Sequence, residues 1–230
     1  MYIGVQGRLV RPQPVDDGAI RGLCAALCGR YANLRRVVLG YSRQGAEIPA
    51  LVLSAPPIER RVLMVATHPT ALYILRLCEE MCAHLRADLP LCQLPLRRAL
   101  TGRQVWFLPI TYHSTAGREE KQALEEKSEK NYPEAVADLC RRVPFCHAVV
   151  VEGGGESVGA YGDDSRSHLM ARVLSAVSGF AVAPTAESDF ASWFVRTCHR
   201  PALSVRLATH PDFDRYYAAL REMLLLSTLF

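Results

Sequence analysis

Between residues 17 and 33 the apolar side chains Ile20, Leu23, Cys24, Leu27, Cys28 and Tyr31 recur three and four positions apart, the spacing of one helix face. Asp16 or Asp17 stands where a cap would take up the first free N–H groups. The pattern then changes period. "RRVVLGYS" and "IPALVLSA" read as two strands joined by "RQGAE", a hairpin with glycine in its connection, and Pro56-Pro57 ends the second. "RRVLMVATH" (60–68) is apolar without alternation, as a central strand buried on both faces must be. Residues 70–86 return to helical spacing, and "RQVWFLPIT" (103–111) is a fourth buried strand. Residues 116–131 are densely charged, a solvated loop and helix start. Residues 133–142 are helical and lead into "HAVVVEGGG" (147–155), a fifth strand ending in glycines. A helix over 165–180 stops at Gly179, "PALSVRLA" (201–208) is a sixth strand, and 212–229 form a last helix. Alternating helices and buried strands predict a three-layer α/β/α sandwich around a mixed, mostly parallel central sheet, one domain over 1–230.

Composition narrows the class. Half of the 230 residues are hydrophobic and 22% are charged, enough apolar surface for a proper core. The net charge of +4 is mild, and the arginines are scattered or paired without interleaved aromatics, which argues against nucleic-acid binding. No run of 18 apolar residues exists and the first residues lack the apolar core of a signal peptide, so no membrane is expected and the location is read as cytoplasmic. The eight cysteines contain no C-x-x-C pair, and a chain of this size needs no covalent staples; reduced, mostly buried thiols are expected.

In sheets of this kind, sites form at the carboxyl ends of the strands. Three such ends carry polar groups: His68, the run Tyr112-His113-Ser114-Thr115, and Glu152 to Glu156. The glycines of "EGGGES" offer backbone N–H groups to a phosphate. The segment lacks the P-loop pattern, however, and its two glutamates repel anions, so a strand-end turn is the plainer reading. Ser114 and Ser157 sit in no G-x-S-x-G elbow. Cys198 and His199 are sequence neighbours, which is not catalytic geometry, and Trp193 and Phe194 are read as packing residues.

In this order the segments resemble the zinc carboxypeptidase superfamily, most closely its bacterial branch that hydrolyses γ-D-glutamyl-diaminopimelate peptides of cell-wall origin. "GYSRQGAEI" (40–48) is similar to the family's G-x-S-x-x-G-x-x-I hairpin, and "VLMVATHPTALYILRLCEEMCAHL" to its strand, H-x-x-E ligand pair and helix. "VWFLPITYHST" resembles the strand ending in V-P-x-x-N-P-D-G, and "VPFCHAVVVEGGGES" the strand that carries the third ligand. "SDFASWFV" is similar to a G-G-F-K-D-W-F segment, "RPALSVRLA" to the closing strand with its T-I-E-[LI]-G, and "FDRYYAALREMLLL" to the final helix.

The resemblance implies a shortened zinc carboxypeptidase fold and places each functional position. The first ligand matches His68. The glutamate three residues on falls on Ala71, which has no lone pair. The third ligand, a histidine in the family, falls on Glu152, and the general base falls on Arg206, which accepts no proton at accessible pH. N-P-D-G is replaced by Tyr112 to Thr115, and about fifty residues that carry the family's substrate-holding side chains are missing. Hydrolysis needs three ligands with an open position, a base and oxyanion donors. The expectation is therefore a carboxypeptidase-like domain with no intact catalytic residue and no cofactor, binding an unknown peptide, small ligand or protein partner. The alternative is a divergent metallohydrolase with zinc rebuilt on His68, Glu152 and His113. Between the two, opposite charges at positions 152 and 206 are expected to pair across the cleft.

Overall fold

The computed structural model describes residues 16–41, 45–67, 70–111, 134–162, 165–183, 189–208 and 210–230. Within these residues eight strands form one sheet: β1 (Leu34–Tyr41), β2 (Glu47–Ser54), β3 (Arg60–Thr67), β4 (Arg103–Thr111), β5 (His147–Gly153), β6 (Ser157–Tyr161), β7 (Ala181–Val182) and β8 (Ala202–Leu207). Among the described residues seven helices flank it: α1 (Asp17–Arg30), α2 (Ala71–Ala87), α3 (Leu96–Ala99), α4 (Glu134–Arg142), α5 (Ser165–Ser178), α6 (Asp189–Cys198) and α7 (Phe213–Ser227). The strand order is β1-β2-β4-β3-β5-β8-β6-β7. The β3–β4, β3–β5, β5–β8 and β6–β7 pairs are parallel. The β1–β2, β2–β4 and β6–β8 pairs are antiparallel, so the sheet is mixed with a parallel centre.

The pleat sorts the apolar residues into two cores. On β3, Val62, Met64 and Ala66 face one side and pack with Ile20 of α1, Ile74 and Met81 of α2, Leu174 of α5 and Leu220 of α7. Leu63 and Val65 face the other side and pack with Leu139 of α4 and Phe194 of α6. This two-faced burial is why β3 reads as an unbroken apolar run. The helix ends also follow their sequence. The Asp16 carboxylate accepts from the Ala19 N–H at 2.7 Å, and that of Asp212 from the Arg215 N–H at 3.1 Å. Gly179, at φ +75, closes α5 by donating its N–H to the Ser175 carbonyl at 2.8 Å, a conformation a side chain would strain.

Two strands and two helices escape the periodicity reading. The expected sixth strand is the eighth, because β6 is five residues interrupted by Gly159 and β7 only two. The single-turn α3 gives no periodic signal. Helix α6 had one, Phe190, Ala191 and Phe194 at helical spacing, all of them buried.

All eight cysteines are unpaired. Cys24 and Cys28 of α1 converge on Cys78 and Cys82 of α2, and each helix's four-residue spacing supplies two thiols to the shared seam. Burial pushes Cys24 up to about 12, with Cys28 adding to it. Burial also raises Cys78 well above the usual thiol range, helped by a hydrogen bond with Cys82.

Candidate functional site

The carboxyl ends of β3, β5 and β8 lie side by side, with β5 in the middle. The start of α2 is tied to this edge by Thr70, which is 2% exposed and whose hydroxyl donates to the Val151 carbonyl at 2.6 Å. On β5, Ala148 and Val150 point into the core under α4 and α6, so Glu152, two residues further, emerges on that same face. On β8 the same parity runs from Ala202 through Ser204 to Arg206. The parallel register sets Glu152 directly opposite Arg206, and Ser157 of β6 stands on the other side of Arg206.

The two charges face each other as their signs require. Arg206 Nε lies 3.7 Å from Glu152 Oε2, with the side chains 30% and 16% exposed. At this length the contact is an ion pair rather than a hydrogen bond, and partial exposure limits its contribution to about 1 kcal/mol or less. Removing one partner costs more, since the other stays half-buried and uncompensated.

Ala71 is the first residue of α2, 3% exposed and part of the apolar core shared with α1. A methyl group there supplies no donor. His68 and His113 lie outside the described residues, as do Tyr112, Ser114 and Thr115. Among the described residues, no three His, Cys, Asp or Glu side chains are grouped to hold a metal. Of the positions that the sequence resemblance gives as ligands, the described ones offer a hydrocarbon, Ala71, and a carboxylate that faces a guanidinium, Glu152.

The remaining sequence candidates have structural occupations. Gly154, at φ +109, turns the chain out of β5, and its N–H bonds to the Leu207 carbonyl at 3.1 Å. Glu156 accepts from the Tyr216 hydroxyl at 2.9 Å, while that hydroxyl takes the Ala208 N–H at 3.1 Å. Burial first, then Glu156, pushes Tyr216 up to about 12, although the Ala208 bond opposes the shift. The glycine run is thus a turn whose glutamate anchors α7. Ser157 lies within β6 and Phe194 is fully buried. The Cys198 thiol lies 3.7 Å from the Cys140 carbonyl; contact with Cys198 and burial raise the Cys140 thiol, and the same contact lowers Cys198. Sequence reasoning did not foresee the Glu156–Tyr216 bond, because the two residues are sixty apart.

The fold is shared with metallo-carboxypeptidases of known structure. A metallo-carboxypeptidase from Burkholderia cenocepacia superposes with a TM-score of 0.67 at 13% identity, covering 94% of this chain and 69% of that one. One from Pseudomonas aeruginosa gives 0.65 at 17% identity, with 94% and 68% covered. The carboxypeptidase A of Helicoverpa armigera gives 0.62 at 12% identity, with 92% and 72% covered. These likenesses define the fold. No family model matches the sequence, and no curated protein matches it.

Proposed function

We propose that this chain is a carboxypeptidase-fold binding domain whose zinc site and general base have been replaced, and that it holds a peptide of cell-wall type in the former cleft without cleaving it. The observation that carries this reading is the Glu152–Arg206 ion pair across the ends of β5 and β8. In the assignment implied by the sequence resemblance, those positions are a metal ligand and the general base. A guanidinium beside a bound-water position repels a cation and cannot take a proton. The buried methyl of Ala71 supports the same reading. His68 is then a remnant of a ligand. Arg206 has five N–H donors and a single carboxylate engages only some of them, so it can also receive a carboxylate of the peptide. Eight unpaired cysteines support a reducing, cytoplasmic location, and no helix among the described residues is long and apolar enough to cross a membrane.

The test is to purify the protein without chelator, measure zinc per chain, and titrate a γ-D-glutamyl-diaminopimelate peptide while following both binding and cleavage. The expected result is substoichiometric zinc, no cleavage, and saturable binding that Arg206→Ala weakens about tenfold. Near-stoichiometric zinc that disappears in His68→Ala would overturn the proposal in favour of a metal site rebuilt on His68, Glu152 and His113.

A further inference from the structure

Two thiols meet between separate helices on one face of the sheet. Cys140 lies near the end of α4, and Cys198 is the last residue of α6. Cys140 is 6% exposed, in one apolar cluster with Leu139 and Phe194, and Cys198 packs against that cluster while staying partly exposed. The Cys198 thiol donates to the Cys140 carbonyl at 3.7 Å, across fifty-eight positions of sequence. The same approach sets thiol against thiol, with a hydrogen bond between them. The seam between α1 and α2 is different. Cys24, Cys78 and Cys82 are fully buried there, and burial raises the partly exposed Cys28.

The two thiols shift each other in opposite senses. When Cys198 gives up its proton, the Cys140 S–H donates to the sulfur left behind, and this bond pulls Cys198 below its ordinary value although burial opposes it. Cys140 is held up by the same bond first, then by burial and by the charge of Cys198, with Arg141 pulling the other way. Attack on a disulfide requires a thiolate that the reagent can reach. Cys198 meets both conditions. Once its sulfur is tied up in a mixed disulfide it carries no charge, so the bond to a thiolate and the charge repulsion both vanish. Burial alone then holds the Cys140 proton, and the inner thiol becomes the second nucleophile.

We propose that Cys140 and Cys198 are a redox pair, which a small disulfide of the glutathione type closes into a bridge between α4 and α6. In the first step Cys198, as the thiolate, attacks one sulfur of R–S–S–R. A mixed disulfide forms on Cys198, and the expelled RS− takes up a proton in place of the one Cys198 released. In the second step Cys140 loses its proton, attacks the Cys198 sulfur and expels the other RS−, which is protonated in turn. Two protein thiols are oxidised, one small disulfide is reduced to two thiols, and an excess of that thiol reverses both steps. Helix α4 leads into β5 and α6 into β8, the strands that end in Glu152 and Arg206. The bridge therefore fastens together the two helices that precede the charged pair.

The test equilibrates the full chain, without air, in glutathione buffers of rising disulfide content, then blocks free thiols and maps the unreduced peptides by mass spectrometry. The expected product is a single cross-link between Cys140 and Cys198, with the loss of two hydrogens, that reopens when reduced glutathione is restored. In Cys140→Ala a glutathione adduct should accumulate on Cys198, while Cys198→Ala should carry neither the bridge nor an adduct on Cys140. An adduct on Cys140 in the second variant would overturn the order of attack. A bridge formed elsewhere, such as Cys28 with Cys82, would overturn the pair itself, as would an adduct on Cys198 of the unaltered chain that never closes. The map of the unaltered chain decides even where Cys140→Ala fails to fold. The bridge closes a long loop and should raise the thermal midpoint by about 5 °C. A midpoint that stays or falls would show that the helices must be displaced to form it, and would overturn a pair prepared by the fold. Neither zinc content nor peptide binding enters these measurements, so they fail or succeed independently of the proposed function.

Discussion

His147 opens β5 at 5% exposure, with Nε2 3.0 Å from the Ser227 carbonyl, so the neutral ring donates there and ties α7 to the sheet. Burial is the main cause that holds its pKa down at about 4; three nearby arginines add to it, and the Ser227 bond opposes it. The folded value lies below the unfolded one, so the unfolded chain binds more protons between the two. The stability tied to the neutral ring is therefore complete above about pH 6.5 and is lost as pH falls towards 4, on the order of 3 kcal/mol in all. Urea unfolding across this window should show the fall, and His147→Gln, which keeps a donor for Ser227, should flatten it. An equal slope in the variant would assign the pH dependence to other groups. At this scale the sequence was legible where charge complementarity sufficed. Opposite signs at 152 and 206 require each other once two parallel strands bring them together, whereas His147 was hidden as the polar first letter of an apolar strand.

Elements were legible where the period ran long enough. The α1 pattern extends over 17–33 and the helix occupies Asp17–Arg30; the last three residues turn towards β1 instead. β6 and β7 were not legible, because a five-residue strand with a central glycine and a two-residue strand owe their existence to the pairing offered by β8 and β6 rather than to their own pattern. The thiol seam lies between these cases. Each four-residue cysteine pair was visible on its helix, but only packing of α1 on α2 makes them one cluster. Its buried thiols should resist alkylation in the native state. Mass spectrometry after brief treatment with a bulky maleimide is expected to leave Cys24, Cys78 and Cys82 unmodified, and to find all eight modified in denaturant. Rapid native labelling of Cys78 would mean that the α1–α2 seam opens.

For the molecule as a whole, the order of its segments was the informative signal, and it led to the observed three-layer fold although no single motif was intact. The chain covers 69% of the length of the B. cenocepacia carboxypeptidase, and the sequence resemblance locates the shortfall after β4. This sets an expectation for reversal. Ala71→Glu, Glu152→His and Arg206→Glu together should raise bound zinc to near one per chain with little peptide turnover, measured by metal analysis and product chromatography. Full turnover would show that the missing segment is dispensable.

The sheet's last strand carries a consequence for recognition. β7 contributes only two rungs, Ala181 and Val182, to the outer edge of an eight-stranded sheet. Among the described residues, β7 itself offers a neighbouring chain only these two residues of backbone to anneal along. An extended partner laid along β7 gains few main-chain bonds, so its hold on that strand would come mainly through side chains.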